Sequence, residues 1–452
     1  MNILNGVQPR LSLIRFGSVV LLFLFLSPLH AESYLELQFD ATSSYQPANG
    51  GELAVESSEL VVRIRENGVW ILEGDNEFIY DFDEHVTYNI DRANNNYFKT
   101  SLFASVGFKD YELHNRKVMS GAMERVGIEQ NSMELVFSEH DLSVADQSSN
   151  SEIAHSEMDR YELFSSNDLP LLKLSNSRIE IPSEYRESFV RFVRYRYGGH
   201  PAIIESLATS NGIPEEIELS HYVVGTKTHE LHLLSRAEVG TDEPSLSGLT
   251  EIFSVNDQIQ HAVSQLKEMS DEDREARINA LIENSRVSIA EGHYEMALLH
   301  YLEYSLATGD QASPWNEEER NSLAASPEVR TLSAAANNPS NSQQAEAMVN
   351  ALVSIRNKLG DEAYALKIFE ANSRAFLGDS ESAKNLMIEV LGANPLIVSA
   401  WVDLGNFYFK EFRAAEAWFC WDMARSIASD HHMLVQIENF EAQLQSKHPA
   451  LF

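Results

Sequence analysis

Cysteine is almost missing from this chain. Cys420 is the only one in 452 residues, so no internal disulfide can form and the fold must be held by packing. Its neighbours Phe419 and Trp421 point to a buried structural thiol rather than a nucleophile. Basic residues are also scarce, 34 Lys and Arg against 68 Asp and Glu, for a net charge of −34. So acidic a surface repels phosphate backbones and anionic headgroups, which argues against nucleic acid or an anionic membrane surface as partner. It favours solubility, or an acidic contact face. There is no GxSxG elbow, no P-loop and no dinucleotide fingerprint, which lowers the weight of an enzyme reading without removing it, since catalytic groups can assemble from distant positions. Nothing calls for a cofactor.

What is present begins with an export signal. Arg10 and Arg15 form a positive region ahead of Phe16–Leu26, an apolar run too short to span a bilayer comfortably. Ser27-Pro28 breaks it, and Leu29-His30-Ala31 offers a cleavage site after residue 31, with an uncleaved anchor as the alternative. No cysteine follows the run, so the chain reads as exported, periplasmic or secreted, and not as a lipoprotein.

Residues 32–238 read as a β-rich domain. Leu60–Arg65, Val69–Leu72, Phe78–Tyr80, Val86–Ile90 and Tyr97–Thr100 alternate and are separated by turn residues. Glu66-Asn67-Gly68 predicts a hairpin whose tight primed turn would need positive φ at both central residues. Later strands are expected at Met133–Phe137, Arg160–Phe164, Leu171–Ile181, Ile217–Val224 and Thr228–Arg236, the last two joined by Gly225-Thr226-Lys227. Helices are expected within Leu102–Arg125, from Ser183 as cap to about Tyr197, and from Pro201 to before Gly212.

Val239–Thr250, rich in Gly, Pro, Ser and Thr, opens a linker over residues 239–253, and from residue 254 to 446 the period becomes helical. Ser270–Asp273 looks like a variant capping box. Ser313-Pro314 and Ser326-Pro327 look like helix starts, and Ala345–Lys358 like a helix. The fold class is therefore α+β: an antiparallel sheet with helices, then a helical array.

Counted in 34-residue units from Val398, Trp401 falls at position 4, Leu404 at 7, Gly405 at 8, Tyr408 at 11, Ala417 at 20 and Ala424 at 27. Units from Ile278 and Tyr364 put Gly292 and Gly378 at position 15 and Ala297 and Ala383 at position 20. This spacing resembles the tetratricopeptide (TPR) repeat, a helix–turn–helix in which small residues let two helices meet closely. The segment between the units leaves the marker positions unfilled. A stripe of Met433, Leu434, Ile437, Phe440 and Leu444, with Glu438, Glu441 and Gln443 on other faces, suits a terminal capping helix. The resemblance implies a concave groove lined by positions 5, 9, 12 and 13 of each first helix. These are Ile368, Asn372, Ala375 and Phe376 in one unit, and Val402, Asn406, Phe409 and Lys410 in the next. Such a groove suits an extended peptide or a protein segment, although the same residues can serve only to pack helices.

The element order of the sheet half resembles the half-barrel domains of periplasmic lipoprotein-sorting carriers. It implies a second reading, an apolar or acyl ligand held in the β-domain. Arg186, Arg191, Arg194 and Arg196 cluster in an acidic chain and offer an anion or carboxylate contact, or else ion pairs with the protein's own carboxylates. His229 and His232 do not read as a metal site, because three residues along a strand place them on opposite faces. The main expectation is a non-enzymatic protein-interaction scaffold acting through the helical groove.

Overall fold

The structure, a computed structural model, describes residues 34–47, 50–111, 154–166, 169–198, 201–210, 212–221, 225–239, 244–253 and 255–452. The export segment, the strand expected at Met133–Phe137 and the distal part of the helix expected within Leu102–Arg125 lie outside the described residues. Among the described residues, no helix is long and apolar enough to cross a membrane.

The fold is α+β, an antiparallel sheet followed by a helical array. Strands β1 (Tyr34–Pro47), β2 (Ala54–Arg65), β3 (Gly68–Glu73), β4 (Asn76–Asp81), β5 (Val86–Asp91) and β6 (Asn96–Ser101) form a meander. After it come β7 (Ala154–Glu157), β8 (Tyr161–Ser166), β9 (Leu169–Ser175), β10 (Arg178–Ile179), β11 (Ile213–Pro214), β12 (Glu216–His221), β13 (Gly225–Val239) and β14 (Thr250–Glu251). Twelve of these form one sheet in the order β14-β6-β5-β4-β3-β2-β1-β13-β12-β9-β8-β7. β1 lies at its middle and pairs along its whole length with β13, from Tyr34 opposite Val239 to Pro47 opposite Gly225.

Alternation puts Leu37, Phe39, Leu60, Val62, Ile71 and Leu231 on one face, and all are buried. That face is covered by helices Ser183–Tyr197 and Pro201–Thr209, whose Phe189, Phe192, Val193, Ile204 and Leu207 complete its core. Phe39 and Phe192 stack with ring centroids 6.5 Å apart. Each such fully buried side chain contributes about 1.5–3 kcal/mol. The other face carries a cross-strand polar network. Arg63 pairs with Glu36 at 2.8 Å and lies 4.5 Å over the Trp70 ring, while the Trp70 indole donates to Glu77 at 3.0 Å.

Several local expectations are corrected. The β2–β3 loop is Glu66-Asn67, and neither residue has positive φ, so the turn is not a primed one. Gly68 instead sits in a close approach: a Cβ there would lie 3.2 Å from the Tyr80 carbonyl oxygen and would push aside the flexible Arg65 side chain, whose Nε is 2.5 Å away. Gly225-Thr226-Lys227 belongs to β13 rather than to a turn, and Leu171–Ile181 divides between β9 and β10. The cap of helix Ser183–Tyr197 is Pro182, with no side-chain bond from Ser183. The linker contributes β14, which pairs in parallel with β6 and makes the boundary part of the sheet.

In the array, Ser270 and Asp273 form the expected capping box ahead of helix Asp271–Ala290. Ser326 caps helix Pro327–Ala335, but Ser313 caps nothing, because the preceding helix, Glu317–Ala325, starts from Asn316. Helical hairpins lie over the three stretches counted as units: Asp271–Ala290 with Tyr294–Thr308, its first helix starting ahead of Ile278, Leu366–Phe376 with Ser380–Ala393, and Val398–Lys410 with Ala414–Ile427. Gly405 permits the last pair to close, since a Cβ there would fall 2.4 Å from Trp421 Nε1. The turns of the first two hairpins place Gly292 and Gly378 at φ 80° and 87°. The matching residue of the third is Phe412, held at φ 61°, a conformation bulky side chains rarely adopt.

The two halves share a firm junction. Helix 102–111 lays Ala104 and Val106 into the core of the array, and Gly107 abuts Trp418 so closely that a Cβ would lie 2.3 Å from its ring. Helix Val435–Lys447 closes the array. Its Glu441 faces inward, contrary to the sequence expectation, because the buried Trp418 indole N–H requires an acceptor and finds Glu441 Oε1 at 2.9 Å. Cys420 is fully buried in the same core, and burial pushes its thiol pKa up.

Candidate functional site

The candidate groove lies between the first helices of the last two hairpins. On Leu366–Phe376, the four-residue spacing stacks Asn372 and Phe376 on one side. On Val398–Lys410, Asp403, Asn406 and Lys410 follow each other at three and four residues. The two faces meet where the Asn372 amide donates to Asp403 Oδ2 at 3.4 Å. The Asn406 side chain also hydrogen-bonds to Asp403. A half-buried carboxylate is thus bracketed by two amides, one from each hairpin.

Sequence reasoning placed Asn372 and Asn406 here but missed Asp403, which sits between them. The structure does not keep the rest of the expected set together. Phe376 is 50% exposed and adjoins Leu377 at 37%, so both are open to a ligand. Phe409 is turned inward among Trp418, Trp421 and Phe440, and Tyr111 covers it at 5.0 Å between ring centroids. Tyr111 also packs on Phe412 at 4.9 Å, which gives the strained Phe412 ring a partner. Lys410 is exposed, with its ammonium 5.9 Å from the Phe407 ring centroid. Ile368 and Val402 are core residues.

Burial raises the Asp403 carboxyl pKa to about 6, against the opposing pulls of Asn372, Lys410 and Asn406. A carboxyl raised from an unfolded value near 3.9 penalises the fold as pH climbs from about 4 to about 6, and the penalty persists above that. Asp403→Asn should therefore stabilise the protein by about 1–2 kcal/mol at pH 7.5, after allowance for partial solvation. The gain should shrink as pH falls from 6 to 4. Thermal unfolding of both proteins across that range tests this, and a gain independent of pH would count against it.

Three of the four arginines of helix Ser183–Tyr197 are occupied by the protein itself. Arg191 pairs with Glu187 at 2.7 Å and lies 4.8 Å over the Phe82 ring. Arg194 donates to the Ala450 carbonyl oxygen at 2.6 Å, and Arg196 pairs with Glu73. Arg186 buries its Nε without a hydrogen-bond partner among the described residues. Of the two expectations for this cluster, the contacts of Arg191 and Arg196 correspond to pairing with the protein's own carboxylates, while Arg194 meets a backbone carbonyl near the end of the chain.

His229 and His232 do lie on opposite faces: His229 is buried and His232 is exposed. His229 Nδ1 is 2.7 Å from the Ser43 hydroxyl, its register partner across the sheet, and its ring packs against Tyr197 and His221. Burial, then Lys227 and Arg196, lowers its pKa to about 4, so the imidazole is neutral at pH 7. Among the described residues no three metal-ligating side chains converge.

Two shallow surface concavities also mark the array. One, of about 620 Å³, lies between helices Pro327–Ala335 and Ser342–Leu359 and is lined mainly by small side chains such as Ala334, Ala347 and Ala351. The other lies along helix Glu317–Ala325. Neither contains the residues expected from the sequence. Compared with known proteins, the chain matches no family profile and no curated sequence.

Proposed function

We propose that this is an exported, non-enzymatic interaction protein, in which TPR-like hairpins hold a segment of a protein partner between helices Leu366–Phe376 and Val398–Lys410. The observation that carries this reading is the set Asn372–Asp403–Asn406, two amides and a carboxylate aligned across adjacent hairpins beside the exposed Phe376. Amide side chains can both donate to and accept from an extended backbone, and the exposed ring supplies an apolar anchor. The sheet half fits a presenting role, since its apolar face is filled by its own helices. That filling gives the apolar-ligand reading no corresponding support.

Photo-crosslinking from position 376 in the envelope of the native host tests the reading. A discrete adduct to one protein is expected, lost in the Asn372→Ala/Asn406→Ala variant and absent when the crosslinker sits at exposed Val435. An adduct that survives the double substitution, or equal labelling from both positions, would overturn it.

A further inference from the structure

Most of the carboxylates sequestered in the array are paired with cations. Glu370 is shared by Arg356 and Arg374, Glu441 is paired with Arg425 and Glu295 with Lys358. Glu303, deep in the interior, is satisfied by Tyr364 and Asn394. Asp403, like Glu303, has polar neighbours but no cation within ion-pairing distance among the described residues; unlike Glu303, it is only partly buried. A carboxylate withdrawn from water without a counter-charge weakens the fold. Its natural complement is a donor brought from outside.

Resting on the reading above, we infer that the groove selects a partner segment with a lysine or arginine side chain next to an apolar residue. The cation sits on Asp403 and the apolar side chain on Phe376 and Leu377. Asn372 and Asn406 fix the carboxylate so that both of its oxygens need not reorient on binding, which is preorganisation. The surplus of 68 acidic over 34 basic residues steers a basic segment toward this surface and repels an acidic one. Lys410, two turns along the helix from Asp403, repels a second cation there. The segment is therefore selected for one positive charge at the Asp403 end rather than for a basic run.

Three labelled dodecapeptides test the inference by fluorescence anisotropy with the full chain. Each has a Gln-rich background and a central Leu-X-Phe, with X as lysine, norleucine or glutamate. The lysine peptide is expected to bind at least tenfold more tightly than the norleucine peptide and more tightly still than the glutamate peptide. Asp403→Asn should erase the lysine advantage, while Asp271→Asn, which removes an equal charge at an exposed site, should leave it. Norleucine binding as well as lysine, an advantage retained in Asp403→Asn, or no measurable binding of any peptide would overturn the cation assignment. Phe376→Ala separates the two levels of the argument. If it weakens the lysine and norleucine peptides equally while Asp403→Asn changes nothing, the groove stands and only the cation falls. If neither substitution has any effect, the groove falls too.

Discussion

Trp418→Ala should lower the stability of the helical array by about 3–5 kcal/mol, the usual range for emptying a buried tryptophan site. It should also loosen the hold of the array on the sheet. Trp418 is fully buried and touches three elements besides its own helix. Its ring lies 5.6 Å from Phe409 and 5.8 Å from Phe440, its N–H donates to Glu441, and Gly107 of helix 102–111 rests against its edge. Trp418→Phe, which keeps much of the volume but strands the Glu441 acceptor, should cost about 1–2 kcal/mol, since Arg425 still pairs with that carboxylate. Gly107→Ala should also destabilise, because its methyl has no room beside the indole. The two effects are coupled: in the double variant the alanine methyl enters the space the indole vacates, so the losses should add to less than their sum. Denaturant unfolding followed by circular dichroism measures all four proteins. Full additivity would mean that helix 102–111 does not pack on Trp418 in solution.

That junction is also where the sequence becomes hard to read. The hairpins of the sheet and the three helical hairpins were legible because their signals are local: alternation over a few residues, a turn residue, or small residues at fixed offsets. The contacts that join them are not local. Arg194 meets Ala450 across 256 residues, and β1 meets β13 across nearly the whole sheet domain. Pairing with the protein's own carboxylates was one expectation for the stretch RFVRYR, but nothing in it announces which partners these would be: Glu187, Glu73 and the final residues. The candidate groove was half legible for a related reason. Asn372 and Asn406 share a repeat position, whereas Asp403 is one of 68 acidic residues and is distinguished only by its burial between the two amides. Phe409 was misplaced on the groove because the covering residue, Tyr111, comes from another domain. Phe412 carried a signal that spacing alone could have found, an aromatic where two sister units have glycine. Its conformation costs on the order of 1–3 kcal/mol, and its ring meets Tyr111 of the sheet half.

Deleting residues 448–452 should be comparably damaging, at about 3–6 kcal/mol, although only five residues are removed. Leu451 is buried, and Tyr195 and Arg194 each donate at 2.6 Å to a carbonyl oxygen of this segment. Phe452 packs 4.7 Å from Phe103 and belongs, with Tyr195, to the cores of both halves. Truncation leaves the Tyr195 hydroxyl without its acceptor and opens the seam between the cores. The sheet and the array should then melt in two separate steps where the intact chain melts in one. The acid response should change as well. Asp110 is held down to about 2, mainly by its hydrogen bond from His448 and then by Lys447. A carboxyl depressed in this way adds about 2 kcal/mol above its unfolded pKa near 4, and loses that contribution as pH falls toward 2. Without His448 the loss of stability between pH 4 and 2 should be shallower. A truncated chain that melts in one step at the original temperature, with an unchanged acid limb, would show that the segment is not a fastening. The groove would then be carried by an array free to move against the sheet, rather than presented by it at a fixed angle.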